Sequence, residues 1–290
     1  MNKDFLRSQI VTGCFWREKM KKRFLVLISV VILVAGGAIL YSQQSYKDGR
    51  NIIERFILPE NYERVKVAED SFGAYLRTYP LKKYGSPVLL YNGKKKSNNV
   101  HVSVFDMPLL DVDLIQCADA VIKLRAEYLY SQKRYSEIKF HITNGMLVPF
   151  SKFAEGERVV VSGNKTDWKG GYKSGYSRAV FDEYLKFIYS YAGTYSLSQE
   201  SKKKKIREIE PGDFFIYGGS PGHVVLVLDI AEQKSTGKKI MLLGQSYMPS
   251  QEFHILKSPE SISPWYTIAD EILYTPEWTF EKGSLMEFAE

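Results

Sequence analysis

A few apolar runs punctuate an otherwise polar chain, and the period of each run predicts an element. The longest, residues 24–41 (FLVLISVVILVAGGAILY), carries no charge. Its length suits a single membrane-spanning helix, which needs about 17–25 apolar residues. It has no polar face, which argues against a buried core helix. Further on, DLIQCADAVIKLRAEYLYSQ brings Leu114, Cys117, Ala118, Val121, Arg125 and Tyr128 near one stripe at three-four spacing. That spacing predicts a helix, with Asp111 and Asp113 offering N-cap oxygens. SRAVFDEYLKFIYSYAG predicts a second helix, terminated at Gly193. Residues 88–91 and 100–105 read as strands of a hairpin around NGKKKSNN, and residues 138–142 as a short strand ended by Asn144-Gly145. After the turn Pro211-Gly212-Asp213, the runs FFIYGG, GHVVLVLDI, KKIMLLGQSYM and FHILK read as successive strands. Their short connections predict an antiparallel meander.

The polar stretches fill in the organisation. Residues 1–23 form a basic N-terminal segment, 24–41 the apolar run, 42–60 a polar, helix-tending stalk, and 61–290 the main domain. Within that domain, residues 151–178 read as irregular surface, residues 202–209 as a short charged helix, and the aromatic tail from Pro264 as a wrap around the core. Helices and antiparallel strands are segregated along the chain, which is the pattern of an α+β fold.

Charge sets the orientation of the apolar run. Lys19, Lys21, Lys22 and Arg23 precede it, with Arg7 and Arg17 further back. Basic residues on that flank keep the N-terminus in the cytoplasm. The main domain is then expected outside the cell membrane, periplasmic or extracellular, behind a single-pass anchor. A cleaved signal peptide is the alternative, although bulky Ile39, Leu40 and Tyr41 follow the small residues and make a poor cut site. Met20 opens MKKRFLVLIS and is a second candidate start. The formal net charge of +7 is concentrated at Lys94-Lys95-Lys96 and at residues 202–205, both in polar surroundings and read as solvated. No nucleic-acid recognition motif accompanies these lysines.

The membrane segment gives the cysteine count its meaning. The chain has two cysteines, Cys14 and Cys117, on opposite sides of the predicted span, so they cannot pair. An unpaired cysteine in an exported domain is buried, paired with another chain, or reactive. Cys117 sits within about a turn of its helix start, where the macrodipole favours a thiolate. It is equally a small apolar residue on an apolar stripe. His223 opens a strand after Pro221-Gly222 and has a side chain suited to general-base work near neutral pH. Gln245 interrupts an apolar strand, and a buried amide needs partners. Holding the second imidazole nitrogen of His223 would satisfy both. No pair of histidines has metal-ligand spacing, and no cofactor motif stands out.

The order of thiol, imidazole and amide resembles that of papain-like cysteine hydrolases. PGDFFIYGGSPGHVVLVLD followed by IMLLGQSYMP is similar to the C-terminal half of NlpC-type and CHAP cell-wall hydrolases. DLIQCADAVIKLRAEYLY, YAGTYSL, PGHVVLVLD and QSYMPSQEFHIL together resemble the bacterial family called domain of unknown function 4846, over nearly everything after about residue 55. The hydrolase resemblance implies a papain-like core with a nucleophile helix packed on an antiparallel sheet. It also implies thiol-dependent amide hydrolysis or acyl transfer, with peptidoglycan peptides as a candidate substrate, Cys117 as nucleophile, His223 as base and Gln245 orienting His223. This sequence departs from that pattern at Gln116-Cys117-Ala118, where those hydrolases carry Asp-Cys-Ser/Gly, and in the longer segment between Cys117 and His223. The competing expectation is an envelope binding module without catalysis, using its tyrosines, among them Tyr172, Tyr176, Tyr189, Tyr191 and Tyr195, for carbohydrate or peptide contact.

Overall fold

Residues 48–260 and 262–289 are described by the computed structural model. The apolar run 24–41 and Cys14 lie outside the described residues. Among the described residues no helix is long and apolar enough to cross a membrane.

The first third holds helix α1 (Ile52–Arg55), strand β1 (Tyr62–Arg64), helix α2 (Phe72–Thr78), strand β2 (His101–Val104) and helix α3 (Cys117–Ser131). Then come β3 (Lys139–His141), β4 (Leu147–Pro149), α4 (Phe150–Ala154), β5 (Arg158–Ser162), β6 (Lys165–Lys169), α5 (Arg178–Tyr191) and α6 (Thr194–Glu200). The rest is largely strand: β7 (Lys202–Lys203), β8 (Phe214–Tyr217), β9 (His223–Gln233), β10 (Lys239–Gln245), β11 (His254–Leu256), β12 (Tyr266–Thr267), β13 (Leu273–Tyr274), β14 (Thr279–Phe280) and β15 (Leu285–Glu287).

β8 to β11 form the expected antiparallel meander, with neighbours in the order β2-β11-β10-β9-β8-β15-β7. β1 pairs the far end of β9, and β12 pairs the start of β10. β9 is the centre, and its first nine residues are buried without interruption. Both faces of this strand are covered, which explains why GHVVLVLDI does not alternate. Val225 and Val227 pack with Met241, Leu243, Tyr266, Phe280 and Leu285, so the C-terminal tail closes that face. Val224 and Leu226 point the other way and are fully buried; α2 and α3 pack on β9 there. Each such valine or leucine contributes about 1.5–3 kcal/mol by leaving water. At the far end of β9, Asp229 is buried and accepts from Arg64 Nε at 2.7 Å and Arg77 Nε at 2.6 Å. A buried carboxylate requires such partners, and here they tie β1 and α2 to the central strand.

The architecture corrects the expected papain-like core, and the expected N-terminal transmembrane helix has no counterpart among the described residues. The described chain is a mixed α/β fold dominated by antiparallel sheets. In the expected arrangement the base faces the nucleophile helix. Here alternation sends His223 to the same face as Val225, where it stacks on Phe280 of the tail at 5.9 Å between ring centres.

Local expectations also shift. Residues 151–178 contain α4 and the β5–β6 hairpin, whose register runs from Arg158↔Lys169 to Ser162↔Lys165. Residues 202–209 form β7 and a short 3-10 turn rather than a helix. β2 pairs β11, not residues 88–91. The compact unit begins at Asp48, inside the segment read as a stalk, and Ile52 and Phe56 are in its core.

Candidate functional site

Cys117 is the first residue of α3. The helix does not start on Asp111 or Asp113, as expected. Its N-cap is Gln116, whose backbone N–H donates to Asp119 Oδ2 at 3.0 Å. Asp113 instead ties the entry loop to a distant one. Its Oδ1 accepts from the Ser250 backbone N–H at 2.6 Å and from Gln116 Nε2 at 3.1 Å. These bonds hold the start of α3 against the end of the β9–β10 ladder, whose last pair is Gly244↔Leu226. There the Cys117 sulfur lies 3.9 Å from the carbonyl oxygen of Gly222, the residue before His223.

Gly222 itself is tightly enclosed. A Cβ on it would stand 2.1 Å from Thr194 Oγ1 and 2.6 Å from the Gly219 carbonyl oxygen. The turn 219–222 is therefore packed against the start of α6 with no room for a side chain. Thr194 Oγ1 also donates to the Gly219 carbonyl at 3.1 Å.

His223 and Gln245 are joined directly, His223 Nε2 to Gln245 Oε1 at 2.8 Å. Both are buried. Gln245 Nε2 donates onward to Glu277 Oε2 at 2.7 Å, and Glu277 Oε1 accepts from Lys96 Nζ at 2.8 Å. Aromatic rings enclose the imidazole: Tyr247 at 4.8 Å, Trp278 at 5.4 Å and Phe280 at 5.9 Å between ring centres. The structure thus joins His223 to Gln245 and sets Cys117 against the backbone that flanks His223.

A family model described as domain of unknown function 4846 matches residues 52–287. The chain belongs to that family. The match covers every site residue named above, from Lys96 to Phe280. Comparison with curated proteins and with solved structures finds no match. The expected relationship to NlpC-type and CHAP hydrolases is therefore not supported, and the chemistry of this family member has to be argued from its own side chains.

Electrostatics depart from what the helix position implied. Burial pushes the Cys117 thiol up to about 11, and the nearby Asp119 carboxylate adds to the shift. The backbone N–H groups of Ala118, Cys117 and Val224 pull the other way and do not prevail. Burial also pushes His223 down to about 4, against the opposing effect of its bond to Gln245. Near neutral pH both the thiol and the imidazole are neutral, not a thiolate–imidazolium pair. Cys117 does sit at the helix start, but desolvation of the sulfur outweighs the macrodipole there.

Cys117 opens onto a cavity of about 490 Å³, also lined by Asp119, Tyr189, Thr194, Tyr195 and Met248. A second cleft of about 280 Å³ shares Thr143 and Tyr195 with it. Asp119 Oδ1 and the Tyr189 hydroxyl are buried without a hydrogen-bond partner. Burial raises the Asp119 carboxyl to about 7.

Sequence reasoning named Cys117, His223 and Gln245 and missed Glu277, Lys96, Asp119, Tyr247 and Trp278. Lys96 was read as a solvated loop charge, yet its side chain is only 8% exposed. Glu277 lies in an aromatic tail without periodicity. The one signal available was the buried amide itself, which has a donor as well as an acceptor to satisfy.

Proposed function

We propose that this protein is a cysteine-dependent amide hydrolase or acyl transferase. The observation that carries the reading is the 2.8 Å bond between His223 and Gln245 at a strand mouth against which the Cys117 sulfur is packed. A base oriented by an amide and a cavity-lining thiol at the same strand mouth are the groups that a cysteine nucleophile needs. Because His223 projects on the other face of β9, the Cys117 thiol proton would pass to His223 Nδ1 by way of a water at the strand mouth as the sulfur adds to the substrate carbonyl carbon. The carbonyl oxygen would become an oxyanion, with the Cys117 backbone N–H as donor. Collapse breaks the C–N bond, and the imidazolium gives its proton to the leaving amine. A thioester on Cys117 remains, and water or an acceptor amine then releases it.

The resting neutral pair fits this sequence. A thiol that gives up its proton only as it attacks needs a base with a free lone pair, and a neutral His223 supplies one. The two adjoining clefts are large enough for an extended peptide. If residues 24–41 anchor or export the chain, that peptide would belong to the cell envelope.

The test is turnover of a library of peptide amides, including peptidoglycan stem peptides, by the full-length protein. Cleavage by the wild type and loss of at least about 10³-fold in kcat on Cys117→Ser, with unchanged unfolding, supports the reading. Binding of peptides with no cleavage, equal in wild type and Cys117→Ser, would make the site a recognition module instead.

A further inference from the structure

The position of Glu277 has a consequence for the proton on His223. A glutamine amide can point either way, and a neutral histidine can carry its proton on either nitrogen. The Gln245–His223 contact alone leaves both choices open. Glu277 removes the freedom. Its carboxylate only accepts hydrogen bonds, and it is 2.7 Å from the outer end of the Gln245 amide. That end must therefore be the NH₂ group, and the end facing His223 must be the carbonyl oxygen.

An oxygen facing the ring requires a donor, so the proton sits on Nε2. We infer that Glu277 is a positioning residue that sets the tautomer of His223 through Gln245, leaving the lone pair on Nδ1. The inference rests on the proposed role of His223 as the base. It adds which nitrogen is the base and which residue decides it.

Lys96 and Asn98 keep Glu277 in place. Lys96 Nζ donates to Glu277 Oε1 at 2.8 Å and Asn98 Nδ2 to the same oxygen at 3.2 Å. The Lys96 and Glu277 side chains are 8% and 7% exposed. The opposite oxygen is thereby turned to Gln245. Lys96 also lies 5.2 Å from the centre of the Tyr247 ring, and that ring packs on His223. Burial, which holds His223 down to about 4, keeps the ring neutral at pH 7.5, the state in which a tautomer is defined.

Glu277→Gln gives the sharpest prediction. Lys96 and Asn98, both donors, would claim the new amide oxygen. The NH₂ of residue 277 would then face Gln245 and turn its amide over. His223 would meet an N–H at Nε2 and carry its proton on Nδ1, where it cannot accept from the thiol. Glu277→Asp keeps an acceptor-only group and should keep the tautomer.

The experiment records ¹⁵N–¹H correlation spectra of the His223 ring in the full-length protein at pH 7.5, for wild type, Glu277→Asp and Glu277→Gln. The expected result is Nε2–H in the first two and Nδ1–H in the third, with kcat lowered at least about tenfold in Glu277→Gln at similar KM, as for other wrong-tautomer variants. Two results would overturn the inference: a wild-type ring protonated on Nδ1, or a Glu277→Gln ring that keeps Nε2–H. The wild-type spectrum decides even if the variant fails to fold. Because the spectra need no substrate, they stand apart from the hydrolase reading. Loss of turnover on Cys117→Ser with the wrong tautomer would sink only the inference.

Discussion

His223 is neutral in the folded protein at neutral pH, and folding stability should report it. The unfolded chain binds a proton at this site near pH 6.5, whereas burial holds the folded ring down to about 4. Between these values the unfolded state binds more protons, so stability rises with pH. The stabilisation is whole above about pH 6.5 and is lost as pH falls toward 4. For a folded value of about 4, linkage makes the loss between pH 7.5 and pH 4.5 about 2.5 kcal/mol. His254, pushed down to about 3 by complete burial, acts in the same direction, so the wild-type slope alone would not separate them. The comparison is with His223→Gln, which cannot titrate. Urea unfolding at pH 7.5, 6.5, 5.5 and 4.5 gives the free energy of each protein. The difference between wild type and variant should shift by about 2.5 kcal/mol against the wild type across that range. A shift below about 0.5 kcal/mol would mean that the folded ring titrates like a solvated one. The neutral-pair account would then fail.

Two further outcomes follow from the same geometry. Gly222→Ala introduces a Cβ 2.1 Å from Thr194 Oγ1 and 2.6 Å from the Gly219 carbonyl oxygen, so it should destabilise by about 1–3 kcal/mol and lower kcat by moving the strand mouth; unfolding and turnover that both match the wild type would show that the turn yields freely. Asp119→Asn removes the carboxylate that helps raise the Cys117 thiol while an amide oxygen can still accept from Gln116, so the pH profile of iodoacetamide labelling of the folded protein should move to lower pH; an unmoved profile would leave burial as the whole cause.

Much of the fold was legible because its periodic segments carry their own signal. Helices α3 and α5 have three-four apolar spacing, and the strands β8 to β11 are apolar runs separated by short polar connections. The β5–β6 hairpin was missed because only Arg158 and Val159 at its start are buried, and the rest alternate as exposed and half-exposed positions in a glycine- and lysine-rich stretch. In the site, His223 and Gln245 could be paired from sequence because they lie on neighbouring strands 22 positions apart. Lys96 and Glu277 could not, being 181 positions apart and joined only by the folding of the tail onto the sheet. The thiol was placed at a helix start correctly, but its charge state depends on burial depth, and the strand that buries it begins about a hundred residues later. The face on which His223 projects was equally hidden. Alternation along β9 fixes it only once the tail is known to cover Val225 and Val227.

The central claim is that the Cys117 sulfur forms a bond to substrate carbon. The most direct measurement is acid quenching during turnover of an activated peptide ester, followed by mass analysis of the intact chain and of the proteolytic fragment that contains Cys117. The account predicts an acyl mass increment confined to that fragment, present in the wild type, slow to form in His223→Ala and absent in Cys117→Ser. Turnover retained by Cys117→Ser, or an acyl group found on any other fragment, would contradict it.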